Sequence, residues 1–248
     1  MSELSKIYLK TKPCIVKIII RNADGDLDVG TGFHIGDGLV VTARHVLRHM
    51  INDEERDNEV VSIERELDNE PLQIDQIYVH ADNRVDLAIL ETDFNTKPFP
   101  QRVVNSRSSR MPFLKIAWTL DEWLDDDFIL SKVLIMGYPG IPQSTGPFLV
   151  TAEAEVNALI DTYNGPHRHL VISSLARGGF SGGPVISEDG YLLGIITSSL
   201  YGNYKPEETG FCVAISVEPL CHILISRKPE PTFLEDDILR KLRRRMES

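Results

Sequence analysis

Eight consecutive residues, Arg177-Gly178-Gly179-Phe180-Ser181-Gly182-Gly183-Pro184, restrict this chain more than any other stretch. Glycines on both sides of Ser181 let the backbone take conformations closed to other residues. With that freedom the amide N–H groups of Gly179 and Ser181 can point into one small space, the arrangement that stabilises an oxyanion beside a nucleophilic serine. A serine between glycines is also an ordinary turn. The chemical reading therefore needs two further residues, because a serine hydroxyl is unreactive until a base takes its proton, and that base must itself be oriented.

Both residue types stand upstream. Thr42-Ala43-Arg44-His45-Val46 follows an apolar run that reads as a strand, and Val85-Asp86-Leu87-Ala88-Ile89-Leu90 embeds one acid in an otherwise apolar segment. A carboxylate inside a buried strand needs a partner, and a histidine ring N–H is a suitable one. The order His, Asp, Ser is that of chymotrypsin, not of subtilisin or the α/β-hydrolases. On these residues the sequence resembles the trypsin-like serine proteases, and within them the catalytic domains of the bacterial HtrA/Deg type. The matching pieces are Gly30-Thr31-Gly32-Phe33-His34, Val41-Thr42-Ala43-Arg44-His45, the Asp86 segment, Val133 to Gly140, and the serine loop followed by Gly190 to Ile195. They are spread over most of the chain.

The resemblance implies an all-β protein of two Greek-key, six-stranded β-barrels with C-terminal helices. It implies a serine endopeptidase that forms an acyl-enzyme, with His45 as general base, Asp86 as its orienter and Ser181 as nucleophile. The N–H groups of Gly179 and Ser181 would hold the oxyanion. It further implies that Thr197 lies near the aspartate, that Thr197, Ser198 and Ser199 pair with the substrate backbone as an added strand, and that Leu175 and Val213 border the pocket for the side chain before the scissile bond. Leu175 has no carboxylate to receive a basic side chain, so small or medium aliphatic residues are expected there. No cofactor and no metal is implied.

At 248 residues, one such two-barrel unit uses most of the length and leaves no room for an appended PDZ domain. A formal charge of -11 argues against general affinity for nucleic acid, although a solvated acidic surface accounts for it equally well. Residues 1–12 are polar and mixed in charge, without the apolar core of a signal peptide or a membrane span, so a cytoplasmic location is expected. Cys14, Cys212 and Cys221 are too few and odd in number for a disulfide framework, and read as small core hydrophobes.

Strand signals fall at residues 13–21, 29–35, 39–42, 74–80, 85–91, 132–136, 148–160, 168–173, 184–187, 191–196 and 210–216, with helical turns at 43–50 and 216–226. Residues 52–69 are densely charged apart from Val60 to Ile63 and read as a surface excursion. Residues 111–127 fit no part of the pattern, which makes them a candidate for a regulatory contact. His34 and His49 match no ligand spacing. His167 and His169 share one strand face, but two ligands do not close a metal site and an exposed hairpin explains them. In the tail, Thr232 and Glu235 suit a capping box, and Leu234, Ile238 and Leu242 recur every four residues, with acids early and bases late. Such a helix packs on its own domain or, alternatively, on a partner.

The resulting organisation is an N-terminal barrel at 1–110, an elaborated connection at 111–131, a C-terminal barrel at 132–228 and an amphipathic helix at 229–248. The expected partners are a protein or peptide substrate and a regulatory protein at 111–131 or the final helix, with neither nucleic acid nor membrane. The alternative is a catalytically silent protease fold serving as a binding module. Phe180 cannot pair with an ammonium group, so activation by insertion of a newly cut N-terminus is not expected.

Overall fold

The computed structural model describes residues 2–21, 24–47, 50, 59–98, 111–117, 128–162, 165–174, 178–197, 210–227, 230–234 and 236–246. The first sheet holds β1 (Ile15–Arg21), β2 (Leu27–Gly36), β3 (Leu39–Thr42), β4 (Glu59–Arg65), β5 (Ile74–Val79) and β6 (Ala88–Thr92), in the order β4-β1-β2-β3-β6-β5. The second holds β7 (Lys115–Ile116), β8 (Lys132–Gly137), β9 (Val150–Thr162), β10 (Gly165–Ile172), β11 (Pro184–Ser187), β12 (Tyr191–Ile196) and β13 (Cys212–Ser216), in the order β11-β8-β9-β10-β13-β12-β7. A further β11–β12 pairing closes six of these strands into a ring, and β7 adds to its outside in parallel with β12.

Local chemistry accounts for the pieces. β1 is a β-branched run that pairs with β2 on one side and β4 on the other, and such residues suit a pleated surface packed on both sides. Asp37 and Gly38 both have positive φ, 50° and 77°, between Gly36 and Leu39, which pair across the ladder. Two central residues of positive φ make the tight hairpin turn that matches strand twist. Among the described residues the α-helices are α1 (Glu3–Thr11), α2 (Glu218–Ser226) and α3 (Asp236–Met246). The Ser2 hydroxyl caps α1 by accepting the Ser5 N–H, and α2 has Pro219 in its first turn, where the missing N–H costs no helical bond.

The apolar side chains sort into three clusters. Val16, Ile18, Val40, Leu47, Ile63 and Leu90 pack within the first unit. Val133, Ile135, Val156, Ile172, Phe180 and Val185 pack within the second. The third lies between them: Phe33, Leu39 and Ile89 meet Leu134, Met136 and Ile215, and the helices cover it with Leu4, Ile7, Leu220 and Leu239. At about 1.5–3 kcal/mol for each buried aliphatic side chain, the last cluster holds the two sheets as one body. Cys14, Cys212 and Cys221 are buried thiols outside any disulfide, as small core hydrophobes are. Among the described residues no helix is long and apolar enough to cross a membrane.

Several local expectations change. The charged stretch is not a loop throughout, because β4 runs through it with Ile63 opposite Ile18. The polar N-terminus folds as α1, whose Leu4, Ile7 and Thr11 recur at helical spacing and are buried. The Thr232 N–H and hydroxyl donate to the Asp37 carboxylate at the β2–β3 turn; Glu235, the other half of the expected capping box, lies outside the described residues. His167 and His169 are not exposed: each is 4% accessible. The apolar stripe of α3 packs on its own chain, with Leu239 and Leu242 buried.

Candidate active site

His45 sits on a single helical turn, Arg44–Leu47, that begins where β3 ends. Asp86 is not inside a strand, as its apolar neighbours suggest, but two residues before β6. Leu87 N–H donates to Val85 O at 3.0 Å across it, a three-residue turn that throws the middle side chain outward. Val85 and Leu87 are buried on either side. The carboxylate accepts twice from His45. The backbone N–H donates to Oδ1 at 2.9 Å, and ring Nδ1 lies 2.7 Å from Oδ2. The two bonds fix both the position and the rotation of the imidazole, and with Nδ1 carrying the proton, Nε2 is left as the basic atom.

The serine loop is shaped by backbone. Gly179 has φ +98° and Gly182 φ +82°, values that residues with a Cβ rarely adopt. Space excludes a side chain as well: a Cβ on Gly179 would lie 2.0 Å from Tyr138 O, and one on Gly182 would lie 2.2 Å from Thr31 O. Phe180 is buried and lies against Gly137. Gly182 N–H donates to Ile196 O at 2.7 Å and Gly183 N–H to Phe180 O at 2.8 Å. Among the described residues, no hydrogen bond to a backbone acceptor uses the amide N–H of Gly179 or Ser181.

Strand β2 of the first sheet reaches across to hold this loop. Thr31 N–H donates to Ser181 O at 3.0 Å, and Thr31 Oγ1 donates to Gly179 O at 2.6 Å while accepting from Tyr138 N–H at 3.2 Å. Tyr138 N–H also reaches Gly179 O at 3.1 Å. The buried Tyr138 hydroxyl donates to Glu66 Oε2 at 2.6 Å, and Lys12 Nζ lies 3.4 Å from Glu66. Burial, followed by the adjacent carboxylate, pushes the Tyr138 phenol upward, which keeps it a donor. Thr31 is part of the Gly-Thr-Gly-Phe-His match, but nothing local in the sequence indicates that it clamps the serine loop.

His45, Ser181, Gly178 and Gly179 line one cleft of about 730 Å³, together with Leu27, Val29, Tyr138 and Ile141. Asp86 stands behind His45. Thr197 is buried and extends the ladder with its N–H on Val213 O at 3.2 Å; Val213 lies on β13 beside it. Leu175, Ser198 and Ser199 lie outside the described residues, as does His49. The other histidine weighed for metal, His34, has both ring nitrogens engaged: Nδ1 lies 2.7 Å from Pro112 O, and Nε2 accepts from Gly38 N–H at 3.2 Å.

Two six-stranded β units packed face to face, with a His–Asp pair from one and a glycine-bound serine from the other on a shared cleft, define the chymotrypsin-like class of fold. The chain belongs to the family of the trypsin-like peptidase domain, whose model matches residues 30–195, and its class is that of the serine protease hydrolases. Among solved structures it is similar to the Rv3671c protease of M. tuberculosis in its active form, at 20% identity and TM-score 0.60, over 88% of this chain and 82% of that one. It is also similar to a serine-to-alanine mutant of that protein in an inactive form, at 20% identity and TM-score 0.56, over 89% of each chain. The unmutated inactive form gives 21% identity and TM-score 0.55, over 89% of this chain and 91% of that one. No match to this sequence is found among curated proteins.

Proposed function

We propose that the chain is a serine endopeptidase in which His45, Asp86 and Ser181 act as the catalytic triad. The observation that carries the reading is the cleft itself: a histidine held twice by one carboxylate, a serine and Gly179 border the same space. In this mechanism His45 Nε2 takes the Ser181 proton as Oγ attacks the scissile carbonyl. The N–H groups of Gly179 and Ser181 stabilise the oxyanion, and the protonated His45, its charge balanced by Asp86, delivers the proton to the leaving amine. Water then enters by the same route and releases the acyl group.

The cleft also bears on substrate. Leu27, Val29 and Ile141 line it beside His45 and Ser181, which favours apolar segments there. The expected pocket at Leu175 and Val213 takes small or medium aliphatic side chains, and the backbone from Thr197 pairs with the substrate. Activation does not require a new N-terminus, because Phe180 fills the position of a pairing acid and is packed in the core. Regulation, in this reading, comes from a partner at residues 111–131 or on α3, where Arg240, Lys241, Arg243 and Arg244 are exposed and favour an acidic surface.

A fluorophosphonate probe tests the reading. Covalent labelling of the purified chain, mapped to Ser181 and absent in Ser181→Ala, is the expected result, with peptide turnover lost by several orders of magnitude in the variant. Labelling only after an added protein factor supports the regulated form. Wild-type turnover in Ser181→Ala overturns the assignment.

A further inference from the structure

Three histidines far apart in sequence meet on another face of the molecule. His80 follows β5, His167 lies on β10 and His222 on α2, so the first sheet, the second and a C-terminal helix each contribute one. One ligand nitrogen from each lies within 4.8 Å of the others, and the ring centroids are 5.2, 5.3 and 5.8 Å apart. His167 is 4% accessible. Its Nδ1 lies 3.2 Å from Glu218 Oε2, and its Nε2 is buried with no hydrogen-bond partner among the described residues. A carboxylate holding Nδ1–H leaves Nε2 as a bare lone pair, the orientation that metal-ligating histidines have. Leaving that lone pair buried and unused is unfavourable.

We propose that His80, His167 and His222 bind a divalent transition-metal ion of the zinc type, with Glu218 orienting His167. Three neutral imidazoles suit zinc, cobalt, nickel or copper and not calcium or magnesium, which take oxygen ligands. Bonds of about 2.0–2.1 Å in tetrahedral geometry set nitrogens about 3.3 Å apart, a closure within reach of small ring rotations. His80 and His222 border a cavity of about 480 Å³ with Tyr78, Val79 and Ala81, which supplies the access route and room for a fourth ligand. His169 takes no part: its Nδ1 is engaged by the His167 carbonyl at 3.0 Å.

The ion would clasp the turn that leads to Asp86. Asp82 N–H donates to His80 Nδ1 at 3.1 Å, and Val85 N–H donates to Asp82 O at 3.1 Å, one residue before the carboxylate that holds His45. A metal taken through His80 Nε2 places the proton on Nδ1 and releases the Asp82 N–H. Loading therefore acts on the turn that positions Asp86, and the site stands whether or not the peptidase assignment does.

The test uses the tag-free chain, stripped with a chelator and titrated with Zn²⁺ and, separately, with Co²⁺. The expected result is one ion per chain, a Co²⁺ absorption spectrum of tetrahedral intensity and a rise in melting temperature with Zn²⁺. His80→Gln and His222→Gln should each weaken binding about 100-fold or more, and Glu218→Gln about 10- to 100-fold. His45→Ala should leave it unchanged, which separates this site from the peptidase cleft. His222 is only half-buried, so its variant decides the matter if replacement of His167 unfolds the chain. Absence of saturable binding, or binding undiminished in both His80→Gln and His222→Gln, overturns the proposal.

Discussion

The two sheets follow one cyclic strand order, first-second-third-sixth-fifth-fourth, yet close differently. In the second, β11 and β12 pair at three positions and complete the ring. In the first, the equivalent seam between β4 and β5 is stitched only at the connecting turn among the described residues. There Glu64 bridges Pro71, Arg65 N–H donates to Glu70 O and Leu72 N–H to Ile63 O. The chemistry each half offers differs in the same sense. In the proposed mechanism the closed barrel contributes the Ser181 hydroxyl and directed backbone groups, at Gly179 and Ser181, whose value depends on dihedral angles held within narrow limits. The more open sheet contributes side chains, His45 and Asp86, whose value depends on the contact between them. A backbone device needs a rigid frame; a carboxylate that holds a histidine by both its backbone N–H and its ring carries its own geometry.

That contrast can be broken from the side-chain half first. Asp86→Asn keeps the shape and removes the charge, and should lower kcat by about 10⁴-fold with little change in far-UV circular dichroism. A loss smaller than tenfold would show that the carboxylate only positions the loop. In the backbone half, Gly179→Ala changes no functional group. Its methyl meets Tyr138 O and its φ is strained, so the proposed oxyanion donor should turn away, with a fall of about 10²- to 10³-fold in kcat.

A third measurement compares the halves by pH. Burial lowers His34 to about 4, against opposing effects from the Pro112 carbonyl and Asp37. Its folded value lies below its unfolded one, so the unfolded chain binds the extra proton first. Stability is therefore full above about pH 6.5 and declines as pH falls towards 4, by about 3 kcal/mol in all. Denaturant titrations at stepped pH should show this decline, and His34→Gln should flatten it. The smallest effect is expected at Gly178, where a Cβ meets nothing within 4 Å. Gly178→Ala should change stability by no more than about 0.5 kcal/mol, and a loss matching that of Gly179→Ala would erase the distinction between the two glycines.

Local pattern was enough to locate β8, β11 and β12, the β2–β3 hairpin and α2, because alternation, turn residues and a first-turn proline act within a few residues of chain. It was enough to single out His45, Asp86 and Ser181, since each lies in a short segment whose neighbours are themselves constrained. It misread β4, where charge density masked an alternation that only pairing with β1 makes meaningful, and α1, whose three buried positions show only against the core they cover. Other features had no local signal at all. Thr31 reaches Gly179 across 148 positions, Tyr138 reaches Glu66 across 72, and His80, His167 and His222 converge from three elements. Their partners are fixed by how the two sheets and the final helices pack, and packing is a property of the whole chain. The sequence by itself determined which residues can do chemistry and the strands that carry them; tertiary structure alone decided which of them stand together, because hydrogen bonds and ligand sets act over a few ångströms of space and not along the chain.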